Sequence, residues 1–157
     1  MNLRNGSMRI KTIFYDFDGV MTDNKVIIDQ FGNESVEVNR GDGLAVSLLK
    51  KAGFRQVIVS TESNKVVEKR AEKLGIEFFQ NVGDKGEVLL EYAKMNGIDL
   101  EDAIYVGNDL NDISAFEKVG IKAAPCDAEE EVLDVVDIVI PRKGGQGVVR
   151  ELYRIIM

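Results

Sequence analysis

Histidine is absent from this chain of 157 residues, and cysteine occurs only once, at Cys126. Without histidine there can be no Ser-His or Cys-His nucleophile pair and no zinc site built on histidine. A single cysteine cannot form an internal disulfide, and alone it makes a poor metal site. Any acid–base chemistry must therefore come from carboxylates, lysine or tyrosine.

The chain also lacks a basic tract and a long apolar segment. Its 20 Lys and Arg stand against 27 Asp and Glu, which gives a net charge of −7. We therefore expect no nucleic-acid partner. No apolar run is long enough to span a bilayer and there is no signal peptide, so we expect no membrane association and a cytoplasmic location. The polar residues 1–7 are interpreted as a leader or an expression remnant and are left out of the fold.

Residues 8–157 suit a single domain in which apolar, strand-like runs alternate with helix-like stretches. Such alternation predicts an α/β fold, with a parallel sheet covered by helices on both faces. After a first strand that ends at Asp16, the predicted strands are 57–60, 77–80, 103–106, 121–124 and 137–140. The predicted helices are 63–74, 84–95, 110–119, one that begins near Asp42, and one from about Gln146.

One segment breaks this alternation. Two β-rich runs, residues 25–28 and 35–38, flank a turn that contains Gly32 and Asn33, which predicts a β-hairpin after the first strand. The hairpin is either a decoration of the sheet edge or a structure that covers a site or meets another subunit.

Two carboxylates follow the first strand directly. Asp16 and Asp18 precede Gly19, and the turn there can place both acids at the carboxyl end of the strand. Open α/β sheets bind ligands at that end. Two acids in one crevice repel each other unless a cation lies between them. A solvated Asp-x-Asp turn is the alternative for the tripeptide alone.

Further polar groups follow other strands. Ser60 and Thr61 end the second predicted strand, where a hydroxyl at a helix start is either a phosphate ligand or simply a helix cap. Lys85 begins a helix, where the helix dipole disfavours a cation, so we expect it to have an anionic partner. Residues 107–112, Gly-Asn-Asp-Leu-Asn-Asp, form an acidic turn at another strand end. The combination is more specific than any one member.

Together these groups resemble the four motifs of the haloacid dehalogenase superfamily. Asp16 to Val20 is similar to its first motif, Ser60 to its second, Lys85 to its third and residues 107–112 to its fourth. The segments between the first three motifs are too short for a cap domain. The resemblance covers about residue 8 to the C-terminus and implies a Rossmann-like, three-layer fold without a cap.

The resemblance also implies a reaction, phosphomonoester hydrolysis through an aspartyl-phosphate on Asp16. Asp18 would serve as acid and then base, and Ser60 and Lys85 would hold the phosphoryl oxygens. The implied cofactor is Mg²⁺, bound by Asp16, the backbone carbonyl of Asp18 and a fourth-motif group, with Asn108 and Asp109 as candidates and Asp112 as a further one. The implied substrate contacts are Gly19, Thr61, Glu62 and Arg70.

A capless member with a hairpin is similar to phosphatases of 3-deoxy-manno-octulosonate 8-phosphate and of nonulosonate 9-phosphates. Residues 70–75 and 144–151 also look like this subgroup, whose members are typically homotetramers in which the hairpins meet. Two departures matter. Asn108 stands where the family usually has an acid, and Glu62 where the octulosonate enzymes usually carry arginine. Glu62 favours a nine-carbon substrate, unless it is only a solvated acid at a helix start.

Two other functions remain open from the sequence. A two-component receiver domain also combines acids, a hydroxyl and a lysine on a similar sheet. Its phosphoacceptor follows a later strand and its lysine lies near the chain's end, so the early Asp16 and central Lys85 favour the phosphatase. A weakly active or non-catalytic oligomerisation module, of the kind fused to sialic-acid cytidylyltransferases, is the second. Retention of Asp16, Asp18, Ser60 and Lys85 favours activity.

Overall fold

The computed structural model describes residues 10–157, so the leader predicted at residues 1–7 lies outside the described residues. Six strands form one sheet in the order β5-β4-β1-β6-β7-β8. Every neighbouring pair in this sheet is parallel, as predicted. The strands are β1 (Thr12–Tyr15), β4 (Arg55–Val59), β5 (Glu77–Phe79), β6 (Ala103–Val106), β7 (Ile121–Pro125) and β8 (Ile138–Ile140).

Helices cover both faces of the sheet because side chains alternate along each strand. On one face Ile13 and Tyr15 of β1 belong to a core with α1 and α6, and on the other Phe14 belongs to a core with α3 and α4. The helices are α1 (Arg40–Lys51), α2 (Lys65–Leu74), α3 (Lys85–Asn96), α4 (Ile113–Phe116), α5 (Glu130–Leu133) and α6 (Val148–Ile156). The predicted α/β class, with helices on both faces, is confirmed.

The predicted helix over residues 110–119 was wrong in its length and type. The chain first makes a 3₁₀ turn, Leu110–Asp112, and α4 then ends at Phe116. The Asp112 side chain explains the tight turn, because it accepts hydrogen bonds from the N–H groups of Asn108 and Asp109. The short α5 had not been predicted.

The hairpin after β1 is present but shorter than predicted, and its second strand was placed too late. It consists of β2 (Ile27–Ile28) and β3 (Glu34–Ser35), antiparallel, with Ile28 opposite Glu34. Its tip is closed by Asp29, whose side chain accepts hydrogen bonds from the backbone N–H groups of Phe31 and Asn33. The hairpin is a separate two-stranded sheet rather than an extension of the main one.

The topology brings the carboxyl ends of β1, β4 and β6 to one edge, since these strands are parallel neighbours. Between Asp18 and Ser60 the chain forms only the hairpin, α1 and β4, and between Ser60 and Lys85 only α2 and β5, so residues 10–157 contain no cap domain. None of the helices within these residues has the length and apolar character needed to cross a membrane.

Candidate active site

A cleft of about 170 Å³ opens at the carboxyl edge of the sheet. It brings together most of the residues that the sequence singled out, from three different strand ends. The lining residues are Asp16, Asp18, Asn24, Thr61, Glu62, Asn108, Asp109 and Asn111.

Asp16 is fixed at the floor of this cleft. Its backbone N–H donates to the carbonyl of Val106, which continues the β1–β6 ladder by one residue. Its Oδ1 accepts hydrogen bonds from the N–H of Phe17 at 2.8 Å and from Nζ of Lys85 at 2.9 Å. The side chain is 9% exposed, so one edge of a buried carboxylate faces the cleft.

Lys85 is almost completely buried and bridges two carboxylates. Its Nζ lies 2.9 Å from Asp16 Oδ1 and 2.7 Å from Asp112 Oδ1. Burial lowers the pKa of this ammonium group, but Asp16 and Asp112 outweigh burial and raise it above its ordinary value. Lys85 is therefore a permanent cation, and the predicted anionic partner is confirmed.

Asp112 lies beneath the cleft and not in it. Its Oδ1 accepts hydrogen bonds from Lys85 and from the hydroxyl of Tyr105, and its Oδ2 accepts from the N–H groups of Asn108 and Asp109. Each oxygen of Asp112 thus already accepts two hydrogen bonds, so Asp112 holds Lys85 and the turn in place. Tyr105 was missed from the sequence, where it looks like any aromatic residue of a buried strand.

The side-chain amide of Asn108 faces the acid pair. One of its two end atoms lies 2.9 Å from the backbone oxygen of Asp18 and 2.8 Å from Asp16 Oδ2. With its nitrogen on this side, the amide donates a hydrogen bond to both oxygens. With its oxygen on this side, Asn108, Asp16 and the Asp18 carbonyl would offer three oxygen ligands, the kind that a hard divalent cation binds.

The remaining candidate ligand, Asp109, caps the 3₁₀ turn by accepting a hydrogen bond from the N–H of Leu110 at 2.7 Å, and it lines the cleft. Within residues 10–157 no three Asp, Glu or Cys side chains are grouped to hold a metal. The candidate ligands around Asn108 are of three kinds, the Asp16 carboxylate, the Asp18 backbone carbonyl and the Asn108 amide, so they do not form a cluster of acidic side chains.

The electrostatics of Asp16 also favour a cation. Burial and the negative charge of Asp112 raise the pKa of the Asp16 carboxyl well above its ordinary value, although Lys85 and the Phe17 N–H act in the opposite direction. A positive charge beside Asp16 Oδ2 would favour the ionised form. Ionisation is what a carboxylate needs in order to act as a ligand or a nucleophile.

Asp18 has a different environment from Asp16. Its backbone carbonyl faces Asn108, whereas its side chain is partly exposed and lines the cleft. Burial raises the pKa of its carboxyl, with Glu62 and Glu34 adding to the effect and Lys85 opposing it. The neighbouring Gly19 has φ of +85° and an added Cβ would overlap the Asn108 side chain, so glycine is required for this close approach.

The second predicted motif lies on the opposite wall. Ser60 is 1% exposed, and its Oγ accepts a hydrogen bond from the N–H of Glu62 at 3.1 Å. Thr61 lines the cleft, and its hydroxyl accepts a hydrogen bond from Asn111 Nδ2 at 3.4 Å. The hydroxyl of Ser60 thus orders the start of this loop, while Thr61 and Glu62 face the open space.

A second cavity of about 130 Å³ adjoins the cleft on the hairpin side. Asp18, Asn24 and Glu62 line both cavities, so the two spaces lie on either side of these side chains. The other lining residues are Lys25, Val26, Glu34, Val36 and Asn64.

Four predicted site residues line neither cavity: Gly19, Ser60, Lys85 and Arg70. Gly19 and Ser60 precede or follow lining residues in the chain and Lys85 contacts Asp16, which leaves Arg70 as the residue that is separate from the site. Its guanidinium donates to the carbonyl of Asn39 at 3.2 Å and lies beside Asp42 at the start of α1. It lines a separate groove with Val36, Val38 and Lys69, among others. Within this chain its contacts are with the segment that leads out of the hairpin.

Comparison with known proteins identifies the family of this chain. A family model described as haloacid dehalogenase-like hydrolase matches residues 48–152. The 3-deoxy-D-manno-octulosonate 8-phosphate phosphatase KdsC of Haemophilus influenzae is 31% identical over 149 residues, which are 94% of this chain and 83% of that protein.

Two solved structures share the whole fold. One, from Streptomyces avermitilis and described as a HAD-family hydrolase, has a TM-score of 0.92 and 40% identity, covering 94% of this chain and 85% of that one. The other is the 3-deoxy-D-manno-octulosonate 8-phosphate phosphatase of Moraxella catarrhalis, in complex with magnesium, phosphate and KDO. Its TM-score is 0.90 and its identity 32%, covering 94% of this chain and 86% of that one. The chain therefore belongs to the haloacid dehalogenase-like hydrolases, as a phosphatase without a cap domain in residues 10–157.

Proposed function

We propose that this protein is a Mg²⁺-dependent phosphomonoesterase that acts on a sugar acid phosphate through an aspartyl-phosphate on Asp16. The observation that carries the proposal is the double use of the Asp16 carboxylate. One oxygen is held by Lys85 and Phe17, and the other faces the side-chain amide of Asn108, which also reaches the backbone oxygen of Asp18.

Mg²⁺ would be held by Asp16, the backbone carbonyl of Asp18 and Asn108, where it would offset the repulsion between anionic nucleophile and anionic substrate. The chain's own groups perform the bond changes. A carboxylate oxygen of Asp16 attacks phosphorus, the bond to the leaving oxygen breaks, and the proton of Asp18 passes to that oxygen. Asp18 then takes a proton from water, whose oxygen attacks phosphorus and releases Asp16.

The other residues of the site stabilise charge during these steps. Lys85 carries a permanent positive charge next to Asp16 and supports the developing charge on the phosphoryl oxygens. Thr61, which lines the opposite wall, and Ser60, which precedes it and is buried, are proposed to donate to the same oxygens. Asp18 suits the acid role because burial and nearby glutamates raise its pKa, which keeps a larger fraction protonated near neutral pH.

The decisive experiment is phosphate release by the wild type and by Asp16→Asn, with Mg²⁺ and with a chelator. The amide keeps the size of the side chain but is not a nucleophile, so we expect a loss of at least about 10⁴-fold. Near-normal turnover by Asp16→Asn would refute the covalent mechanism. No phosphate release by the wild type from any sugar acid phosphate would instead favour the non-catalytic oligomerisation module.

Two substrates are proposed within the sugar acid class. The names of the relatives in H. influenzae and M. catarrhalis support 3-deoxy-D-manno-octulosonate 8-phosphate. Glu62 favours a nine-carbon nonulosonate 9-phosphate, because a carboxylate accepts hydrogen bonds from hydroxyl or N-acyl N–H groups and repels a substrate carboxylate close by. The position of Glu62 on both cavities supports a contact with the sugar portion.

The support that Glu62 gives to the nine-carbon candidate is tested by Glu62→Ala. If Glu62 contacts the sugar, kcat/KM should fall about tenfold or more for the nine-carbon substrate and much less for a small aryl phosphate. Equal losses on both substrates, or no loss on either, would remove the support for the nine-carbon acid.

We further propose that the protein works as a homotetramer in which the hairpins meet. Apolar side chains are exposed on the hairpin, including Ile27 at 63%, Ile28 at 62% and Phe31 at 80%. An isolated two-stranded hairpin is marginally stable, and a contiguous exposed apolar surface is typical of an interface. A cleft without a cap also needs a neighbour to exclude water.

The assembly is tested by deleting the hairpin tip, residues 30–33, and measuring mass by light scattering together with activity. We expect a smaller species and a parallel loss of activity. A fully active monomer would contradict the link between assembly and catalysis.

A further inference from the structure

We propose that Lys25 is the residue that recognises the carboxylate of the substrate, and so selects sugar acid phosphates over neutral sugar phosphates. This assignment rests on the proposed function and adds a second recognition point to the same site. It follows from the charges that line the two cavities and from the way the chain is held around Lys25.

The charge balance of the site creates the need for such a residue. Asp18, Glu34 and Glu62 line the second cavity, and Asp16 and Asp109 line the cleft. A ligand that carries a phosphate and a carboxylate would meet acids at both ends. At the phosphoryl end Lys85 and a divalent cation offset them, whereas the far end has neither.

Lys25 is the one cationic residue among those that line the two cavities. No ion pair and no side-chain hydrogen bond joins it to another residue within 10–157, although three acids line the same cavity. Lysine side chains in acidic surroundings are normally paired or solvated. Because Lys25 lines a site cavity and has no such partner, its ammonium group can bind a ligand carboxylate without first breaking an existing contact.

The backbone under Lys25 is held in place. Thr22, which is 0% exposed, accepts hydrogen bonds through Oγ1 from the N–H groups of Gly19 and Asn24, and Asp23 Oδ1 accepts one from the N–H of Lys25. Asn24 adopts φ of +68°, which turns the chain between the two cavities. Because of these contacts the Lys25 stem starts from a fixed point.

The glycine-rich loop before α6, residues 144–147, packs against the turn at residues 22–24. The N–H of Gly145 donates to the carbonyl of Val20, and an added Cβ on Gly145 would lie 2.7 Å from the backbone nitrogen of Asp23. The loop at Gly145 and the turn at residues 20–23 are therefore in close contact. The first-motif loop, Lys25 and the loop before α6 thus pack together.

The chemistry of the substrate class matches this arrangement. In an octulosonate 8-phosphate or a nonulosonate 9-phosphate the carboxylate and the phosphate are at opposite ends of the carbon chain. With the phosphate at Asp16, the carboxylate must lie away from Glu62, which would repel it. The cavity wall formed by Lys25 is a place on the hairpin side where that charge is attracted.

The test compares Lys25→Met, Lys25→Arg and a control, Lys51→Met. Lys51 is an exposed lysine in the last turn of α1, so it carries the same charge change away from both cavities. Substrates are the two sugar acid phosphates, a neutral hexose phosphate and an aryl phosphate. Binding of the free sugar acid is measured by calorimetry.

If Lys25 binds the carboxylate, Lys25→Met should lower kcat/KM for sugar acid phosphates about 10- to 100-fold, mainly through KM. The neutral and aryl phosphates should stay within about twofold, and free sugar acid should bind correspondingly more weakly. Lys25→Arg should retain most of the activity, and Lys51→Met should behave as wild type.

Equal effects of Lys25→Met on charged and neutral substrates, or no effect on any, would overturn the assignment of Lys25. Wild-type protein that hydrolyses a neutral hexose phosphate as well as a sugar acid phosphate would instead overturn the proposed substrate class, and the role of Lys25 with it. The wild-type measurement thus separates failure of the proposed function from failure of the Lys25 assignment.

Discussion

At the strand-end network, formed by Asp16, Lys85 and Asp112, each carboxylate oxygen has a polar partner or faces the side-chain amide of Asn108. At the hairpin base, formed by Asn39, Asp42 and Arg70, two buried atoms have none: Asp42 Oδ2 and Arg70 Nε. Both regions bury charges of opposite sign next to each other, one at the cleft and the other at the end of the hairpin segment. They differ in how completely that charge is satisfied.

The difference shows how one site combines a fixed end with an adaptable one. A buried charge without full hydrogen bonding raises the free energy of the folded state, so a satisfied network resists movement more than an unsatisfied one. The phosphoryl end meets the same chemical group in every substrate and gains from rigidity. The hairpin base lies below the part of the chain proposed to meet the sugar and a neighbouring subunit, where adjustment is useful.

The largest effect should follow from Asp112→Asn. An amide nitrogen there would face either Lys85 and Tyr105 or the two backbone N–H groups, all of which are donors. We expect about 3–5 kcal/mol of lost unfolding free energy in urea. We also expect activity to fall at least about 100-fold, because Lys85 loses its second anchor.

The control for this change is Asp99→Asn. Asp99 is an exposed cap of the 3₁₀ turn Leu100–Asp102, and asparagine caps equally well, so we expect a change of no more than about 0.5 kcal/mol. If Asp112→Asn lowered the free energy of unfolding no more than Asp99→Asn does, the hydrogen bonds of Asp112 would contribute no more than those of a surface helix cap. The proposed difference between the two regions would then be wrong.

The buried Asp42 carboxyl at the hairpin base should make the free energy of unfolding depend on pH. Burial raises the pKa of the Asp42 carboxyl to about 6, against the opposing effects of the Arg150 and Val149 N–H groups and Arg70. The folded protein therefore binds this proton more tightly than the unfolded chain, and its stability should fall as pH rises from about 4 to above 6. The total loss from Asp42 should be roughly 2–3 kcal/mol.

Asp42→Asn should remove this contribution. The melting temperature of Asp42→Asn minus that of wild type should increase between pH 4 and pH 7. For the exposed control Asp134→Asn this difference should be the same at every pH. Parallel curves for Asp42→Asn and wild type would mean that Arg70 compensates the Asp42 charge fully, and that the hairpin base is as well satisfied as the strand-end network.

The sequence was sufficient to predict most residues around the cleft, because each follows a strand in the chain. Asp16 and Asp18, Ser60, and Asn108 come after apolar runs, and parallel strands end at one edge. Lys85 was predicted to have an anionic partner from its position at a helix start alone. These inferences depend only on local pattern and on the topology of a parallel sheet.

The rest depends on long-range contacts that leave no local pattern. Tyr105 pairs with Asp112 only because β6 and the following turn fold over each other. Arg70 faces Asn39 and Asp42 because α2 packs on α1, so its placement away from the cleft could not be inferred from a motif. The hairpin register depends on the Asp29 turn, which sets Ile28 opposite Glu34, and the pairing stops at Ile27 and Ser35 although the β-rich runs continue on the side away from the turn.

A smaller effect is expected from Asn108→Asp, which tests the metal end of the network. If the Asn108 oxygen binds Mg²⁺ with Asp16 and Asp18, a carboxylate in its place should lower the half-saturating Mg²⁺ concentration by about tenfold. The matched control is Asn111→Asp, which adds the same charge to an exposed residue of the cleft wall. An equal shift in both variants would indicate general electrostatic attraction, and no shift in Asn108→Asp would direct attention to Asp109.

The smallest effect should be a displacement of the pH profile by Glu62→Gln, which links the two ends of the site. Burial and the charge of Glu62 raise the pKa of the Asp18 carboxyl, so removing that charge should lower it. The acid that protonates the leaving group would then lose its proton at lower pH, and the fall of kcat/KM with rising pH should begin earlier for an aryl phosphate. Glu91→Gln, an exposed glutamate of α3, provides the same change outside the cleft and should leave the profile in place. If Glu62→Gln leaves the pH profile unchanged, the charge of Glu62 does not affect the pKa of Asp18. Glu62 would then contribute to substrate choice but not to the acid step.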